Sequence, residues 1–285
     1  MGKTNIGYKK KRLIAEYVLK YGFFICLLCA LIFPYVFMVS KSFMNIVDIK
    51  SPEILFLPKN PTLENYAVFG EYIKYFSNSF IVVIINTIFV PLTSCMVAFP
   101  LARYKFKGDA FIFALILATS MIPSSVIQVP QYQLFIKFRL YDKLASQYIG
   151  SFFGGSGMQI FLIVQFMRAI PKELDEAARI DGANKLTTFL RIMLPLCFNV
   201  CVYIGITVAI AKWNDFQGPL IYLKTDSKRT MAVAFYYHFG SSGDASLLNN
   251  VKMAMATCMT MFPAILFLIF QKQMIGGVKL GAVKG

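Results

Sequence analysis

The densest group of chemically useful side chains in the sequence is a set of carboxylates beside two small residues. Glu173, Asp175 and Glu176 precede the pair Ala177–Ala178, and Gly182 follows it. As a helix, this segment would hold its acids in the first turns, where the helix dipole favours negative charge, and would stop at the glycine. Carboxylates can bind basic groups of a partner, and alanines let a partner backbone approach closely. By composition alone, a capped surface helix between two hydrophobic segments is the simpler interpretation.

No pattern in the sequence predicts catalysis, nucleotide binding or a metal site. The motifs GxxxxGK[ST], HExxH and GxSxG do not occur, so no such loop would cradle ATP phosphates. His238 is the single histidine and is interpreted as an ordinary loop residue. All 6 cysteines fall in charge-free stretches, where a buried cysteine packs as a small hydrophobe. We expect no catalytic residue, no metal and no cofactor in this chain, so another subunit would have to drive any energy-consuming step.

The elements that position these residues are indicated by where the charges lie. Apolar residues make up 57% of the 285 residues and charged residues only 15%, and the mean hydropathy is +0.61. A bilayer core about 30 Å thick is crossed by roughly 20 apolar residues in a helix. Six stretches of that length contain no Asp, Glu, Lys or Arg: Tyr21–Ser40, Tyr75–Ala102, Ala110–Ile136, Leu144–Met167, Ile192–Ala211 and Met253–Gln271. The sequence therefore predicts an all-α, polytopic membrane protein with six transmembrane helices, in the cell membrane.

Lysine and arginine counts in the loops predict the orientation of these spans. The side that carries both termini would hold 17 basic residues and the opposite side 12. This bias predicts cytoplasmic N- and C-termini, and it accounts for the net charge of +15 without nucleic acid as a partner. The expected organisation is a cytoplasmic basic arm at 1–20, a transmembrane domain at 21–271 with spans at about 21–40, 75–102, 110–130, 147–168, 192–211 and 253–271, a cytoplasmic loop at 171–191, and a cytoplasmic tail at 272–285.

The expected spans carry uncharged polar groups and prolines but no ionisable side chain. Ion-coupled transport therefore lacks its usual groups. Asn86, Gln159 and Thr207 are examples of the neutral groups, which either hydrogen-bond between helices or line a path for a neutral solute such as a sugar. Prolines in the middle of spans predict kinks or local breaks; they are Pro91, Pro123 and Pro195.

A longer pattern around the acidic segment resembles a known family. Glu176-Ala177-Ala178, three residues, Gly182, nine residues and then Ile192-x-Leu194-Pro195 reproduce the signature cytoplasmic loop of binding-protein-dependent ABC importer permeases. The rest is similar to the maltose-type carbohydrate permeases of that family across nearly the whole chain. The further segments that carry the resemblance are 61–66 (PTLENY), 102–108 (ARYKFKG), 213–223 (WNDFQGPLIYL) and 281–285 (GAVKG).

The resemblance implies a type I ABC importer permease fold and a set of partners. These are a second homologous permease, an ATP-binding cassette ATPase dimer that holds ATP and Mg, an extracellular solute-binding protein and a carbohydrate. It implies three sets of site residues. ATPase coupling would fall to Glu173, Glu176, Ala177, Ala178, Asp181 and Gly182; an ATPase-contacting tail would comprise Gly281, Val283, Lys284 and Gly285; and an outer gate or binding-protein contact would comprise Trp213, Asn214 and Phe216.

Two of these assignments have simpler alternatives. Trp213, the single tryptophan, could be an interfacial aromatic anchor, and the tail could be a frayed terminus.

The expected function is import of a sugar by a subunit that is not itself an enzyme, and an oligosaccharide is favoured over a monosaccharide. The alternatives are a stand-alone secondary transporter or channel, and an importer of glycerol-phosphate-type solutes.

Overall fold

The computed structural model describes the backbone of residues 4–51, 55–240 and 249–282, and within these ranges the regular structure is helical, without a β-strand. The helices in the first part of the chain are α1 (Thr4–Ser42), α2 (Ile46–Lys50), α3 (Glu64–Ala67), α4 (Phe69–Arg103), α5 (Asp109–Thr119), α6 (Ser124–Lys137) and α7 (Gly157–Ala169). The later helices are α8 (Glu173–Ile180), α9 (Lys185–Thr188), α10 (Leu194–Leu196), α11 (Phe198–Trp213), α12 (Gln217–Tyr222), α13 (Met231–Phe239) and α14 (Asn249–Ala282).

Four segments in the described residues are long and apolar enough to cross a membrane. They are Glu16–Ser42, Phe69–Arg103, Ile149–Ala169 and Asn250–Met274. Two further pairs of helices pass the same test together but are bent, α5 with α6 by 97° and the α9–α10 stretch with α11 by 70°. The number of spans is therefore four, or up to six if each bent pair counts as one. The expectation of six sits at the upper end of that range.

The chain divides into two compact units. One comprises Met1–Gly70 and Ser242–Thr260, and the other comprises Glu71–Ser241 and Met261–Gly285. In the first unit, buried Asn65 donates through Nδ2 to the carbonyls of Ser42 and Met44, both at 2.8 Å, and accepts from Asn250 Nδ2 at 2.7 Å. Tyr66 Oη lies 2.6 Å from Ser42 Oγ. The PTLENY segment therefore ties down the backbone that follows α1.

The second unit has a core in which α4, α7 and the α10–α11 region pack together. Its fully buried side chains include Ile163, Met167 and Met193. Cys95 and Cys201 also belong to this core, with 3.2 Å between their Sγ atoms, and Cys95, Cys197 and Cys201 are free thiols. The cysteines pack in this core as small hydrophobic side chains. The core thus joins the longest helix of the unit to the two segments on either side of the 171–191 loop.

The prolines expected to interrupt spans differ in their effect. Pro123 ends the break between α5 and α6 and starts the second helix of that bent pair. Pro195 lies two residues before Cys197, where α10 ends and the chain bends into α11. A π-helical turn, Phe189–Met193, precedes this bend. Pro91 lies within α4, which continues through it without a break.

The expected span at 147–168 is α-helical only in its second half. Residues Leu144–Gln147 and Ile149–Phe153 form 3-10 turns, Gly154 and Gly155 have φ of +95° and +65°, and α7 begins at Gly157. Ser156 and Gln159 form a capping box at that start. The glycines adopt a left-handed backbone that no regular helix contains, so a charge-free stretch that composition reads as one helix is broken.

Candidate functional site

The acidic segment forms α8, a two-turn helix with both ends defined by its sequence. Glu173, Asp175 and Glu176 occupy the first turn, as the helix dipole favours. At the other end, Ala183 N donates to Ala178 O at 2.9 Å and Gly182 N donates to Arg179 O at 3.1 Å. This pair of bonds is a Schellman motif, and Gly182 has the φ of +77° that the motif requires. The predicted helix and its glycine stop are confirmed, although α8 begins two residues after Pro171.

The predicted coupling residues divide between a packed side and an open side of α8. Ala178 is buried, at 5% exposed, and anchors the helix to the unit. The remaining residues of the set, Glu173, Glu176, Ala177, Asp181 and Gly182, are exposed. Ile180, which is not among the predicted coupling residues, is 86% exposed. By its helical spacing, Ile180 shares the exposed face of α8 with Glu173, Glu176 and Ala177.

Arg103 at the end of α4 fixes the start of this loop. Its side chain is 2% exposed, and its Nε lies 3.2 Å from Asp175 Oδ2. Its Nη1 donates to Ile170 O at 2.9 Å, and its Nη2 lies 3.7 Å from Met193 Sδ. One guanidinium therefore joins the end of α7, the first turn of α8 and the π turn. From the sequence, the ARYKFKG turn was indicated only through the family resemblance; the available signal for Arg103 was an arginine directly after a 28-residue charge-free stretch.

The next residue of that turn, Tyr104, also packs against the loop. Lys185 Nζ lies 4.8 Å from the Tyr104 ring centroid, a cation–π distance. Burial and the nearby Asp175 carboxylate raise the pKa of the Tyr104 hydroxyl. Tyr104, Asp175, Glu176 and Lys185 line part of a surface groove of about 590 Å³ between α8 and α9. The groove carries both charge signs, so it suits a polar protein partner.

The predicted gate residues lie at the end of α11 and just beyond it. Trp213 is 4% exposed, and its ring packs against Phe76, Phe80 and Phe262 with centroid distances of 6.1, 5.1 and 4.3 Å. Its ring is therefore not presented to a docked protein in this conformation. Asn214 is exposed. Phe216 is half-buried and stacks edge-on against Tyr236 at 5.2 Å.

The predicted tail cannot be placed as a site. Gly281 lies in the backbone of α14, and Val283, Lys284 and Gly285 lie outside the described residues. Its contact with an ATPase stays a prediction.

Two aspartates, Asp142 and Asp226, fix the loop at residues 224–229. Asp142 accepts from Thr225 N at 2.8 Å, Thr225 Oγ1 at 2.6 Å and Lys228 Nζ at 2.9 Å. Burial alone would raise the pKa of Asp142, but these hydrogen bonds outweigh it and hold the pKa well below its ordinary value. Asp226 accepts from Tyr75 Oη at 2.6 Å, which is the main reason that its pKa is also lowered. The loop is therefore tied to α4 and to the turn after α6.

Comparison with known proteins agrees with this geometry. Residues 92–279 match the model of the family described as "binding-protein-dependent transport system inner membrane component". The "arabinooligosaccharides transport system permease protein AraQ" of Halalkalibacterium halodurans is 32% identical over 97% of this chain and 99% of its own. The "melibiose/raffinose/stachyose import permease protein MelC" of Bacillus subtilis is 31% identical over 90% of this chain and 93% of its own.

A solved structure supports the fold. It is described as a bacterial ABC transporter involved in the import of the acidic polysaccharide alginate, and one of its chains matches with a TM-score of 0.78 at 20% identity, over 92% of this chain and 97% of that one. The family match covers most of the core of the second unit, together with α8 and Gly182. The chain therefore belongs to the family of inner-membrane permease components of binding-protein-dependent ABC transport systems.

Proposed function

We propose that this chain is one permease subunit of an ATP-driven importer that carries a neutral oligosaccharide across the cell membrane. The family membership carries this proposal, and relatives named for arabinooligosaccharides and for melibiose, raffinose and stachyose support the substrate class. The other components would be a second permease, an ATPase dimer that holds ATP and Mg, and an external solute-binding protein. In this assignment the chain itself moves with the ATPases and does no chemistry.

The proposed topology has six spans and cytoplasmic termini. Each bent helix pair then counts as one span, and the lysine and arginine bias sets the direction. This places α8 and the Arg103 turn in the cytoplasm, and it places the 224–229 loop outside. The window of α1 that could cross the membrane has none of its residues buried in the chain, which fits a helix that faces lipid or the second permease.

The proposed role of α8 is to transmit ATPase movement to the spans. Its exposed Glu173, Glu176, Ala177 and Ile180 would contact an ATPase, with Asp181 and Gly182 at the turn. Arg103 holds the base of the loop to the core, so that a push on α8 moves α7 and the π turn as one body. Rigid-body movement of this kind is a common way to switch a cavity between two sides.

The experiment that tests this role replaces the exposed apolar tip. In the assembled importer reconstituted into liposomes, Ile180→Asp should lower binding-protein-stimulated ATP hydrolysis and sugar uptake at least tenfold, because a charge replaces an apolar contact. The matched control is Leu63→Asp, since Leu63 is 70% exposed but lies in the PTLENY segment. Equal activity of the Ile180→Asp variant and the control would rule out ATPase contact at the tip of α8.

A second experiment separates the importer from a stand-alone transporter. Liposomes that contain only this chain should show no uptake of raffinose or arabinotriose under an ion gradient, whereas the full assembly with ATP should show uptake. Flux through the isolated chain would favour the secondary transporter or channel.

For the tail, deletion of residues 281–285 should reduce stimulated ATP hydrolysis, and unchanged hydrolysis would indicate a frayed terminus.

A further inference from the structure

A half-open cavity of about 500 Å³, here called the chamber, is formed within the second unit of this single chain, and its volume is in the range of small-molecule sites. Its lining includes eight uncharged polar side chains, four of which are the amides of Asn86, Gln131, Gln147 and Gln159. Three of the eight, Asn86, Gln159 and Thr207, are span residues for which the sequence left open whether they join helices or line a path. The structure places them around one space.

The chemistry of this lining fits sugar hydroxyls. Each hydroxyl group both donates and accepts hydrogen bonds, and a side-chain amide also does both. The one charged residue in the lining, Lys212, lies 3.5 Å from the Asp215 carboxylate, so its charge is compensated within the chain. A lining without a net charge favours a neutral glycoside over a phosphate ester or a uronate.

One wall of the chamber is the broken segment, residues 144–156, which interrupts the expected span before α7 begins. Irregular backbone at membrane depth occurs where it is buried in protein or lines a water-filled cavity. Two hydrogen bonds from α4 fix the broken segment in place. Asn86 Nδ2 donates to Gln147 O at 3.2 Å, and Ser94 Oγ donates to Gly154 O at 2.8 Å. The opposite wall includes Thr207 on α11, the helix that follows the bend after the π turn. A wall that continues from the 171–191 loop would change the shape of the chamber when the loop moves.

We propose that this chamber holds a sugar unit of the transported oligosaccharide, so that this chain, and not the second permease alone, contacts the substrate inside the membrane. The inference rests on the proposed function. It goes further by assigning the contact to particular amides and to the space beside the broken segment.

Gly150 offers a direct test because it lines the chamber and a Cβ added there would meet no atom within 4 Å. The series Gly150→Ala, Gly150→Val and Gly150→Leu adds volume in steps from a Cβ position that is free of neighbours. Uptake is measured in the full reconstituted importer with melibiose, raffinose, arabinotriose and maltotriose as probes. We expect trisaccharide uptake to fall first, at least tenfold for Gly150→Leu, and disaccharide uptake to fall later in the series. The control is Gly22→Leu on α1, where an added Cβ also meets nothing.

A second variant removes one amide and leaves the volume nearly unchanged. Tyr222 Oη is 3.3 Å from both Gln131 Oε1 and Gln128 O, so Gln131→Met leaves the tyrosine a partner. Loss of one hydrogen bond to a sugar should raise the KM for uptake about three- to tenfold at unchanged stimulated ATP hydrolysis.

The outcomes are distinguishable. Wild-type uptake of every probe by Gly150→Leu, or losses that do not depend on sugar size, would overturn the chamber assignment. So would an unchanged KM in Gln131→Met. A wild-type importer that moves none of the four sugars would instead overturn the proposed function, and the chamber assignment with it.

Discussion

Gly182 shows how one backbone conformation can decide the shape of a contact surface. Its φ of +77° lets the chain leave α8 and enter α9 within four residues, and an added Cβ there would meet no atom within 4 Å. The position therefore tests backbone conformation alone. A branched residue in the left-handed region costs about 1–2 kcal/mol, whereas asparagine tolerates it.

We expect Gly182→Val to reduce ATP-coupled uptake strongly while membrane insertion stays normal, because the end of α8 would fray. Gly182→Asn should keep most of the activity. Uptake by the reconstituted importer, with blotting of the membrane fraction for insertion, measures both. Equal activity of the valine and asparagine variants would show that the left-handed turn does not matter for coupling.

Arg103 contacts three separate segments, which its position in the sequence does not indicate. Removing its charge should lower the free energy of unfolding by about 2 kcal/mol, since it holds charge-assisted contacts to Asp175 and to the Ile170 carbonyl. Thermal unfolding of Arg103→Met, Asp175→Asn and the double variant should give effects that do not add. Arg191→Met, at an exposed position, is the control. Additive effects would show that the pair does not act together.

The elements divide into those that local patterns predict and those that long-range contacts create. The helix α8 and its stop follow from acids, alanines and Gly182 within one short segment. The break at 144–156 does not, because its carbonyls are satisfied by side chains about 60 positions earlier on α4. Thr93 Oγ1 to Ser151 O at 2.7 Å and Ser94 Oγ to Gly154 O at 2.8 Å are such bonds. A charge-free run gives no sign of them, so composition predicts one continuous helix.

Ser94 tests whether these bonds hold the broken segment. Ser94→Ala would leave the Gly154 carbonyl without its bond from Ser94 and should cost about 1–2 kcal/mol of unfolding free energy. The control is Ser77→Ala, at an exposed serine of the same helix whose Oγ donates locally, to Ile73 O at 2.8 Å. Thermal unfolding in detergent compares the two. A control as destabilised as Ser94→Ala would show that the contact to Gly154 adds nothing.

At the scale of the whole molecule, charge position carried most of the sequence prediction. The charge-free stretches predicted the apolar helices, and the family pattern predicted a coupling role for α8. The chamber could not be predicted, because its amides lie on α4, α6, α7 and the broken segment, and only tertiary packing brings them together. The roles of Trp213 and the tail likewise depend on contacts that no local pattern specifies.

Acid sensitivity is expected at the 224–229 loop. Because the pKa of Asp142 is lowered in the folded chain, its hydrogen bonds stabilise the fold above the ordinary aspartate pKa of 3.8, and this contribution is lost as the pH falls through the lower, folded pKa. Stability of the wild type should therefore fall more steeply below about pH 4 than that of Asp142→Asn. Thermal unfolding across this pH range is the measurement, and parallel curves for the two proteins would exclude Asp142 as the source.

The π turn at Phe189–Met193 has a consequence for chain length. Such a turn accommodates one residue more than an α-helical turn without ending the helix. Deletion of one residue there would restore regular helix and rotate everything beyond it by about 100°. Thr207 and Lys212 would then swing away from the amides they now face. The rotation of α11 about its own axis therefore depends on the extra residue in the π turn. That rotation decides which α11 side chains line the chamber.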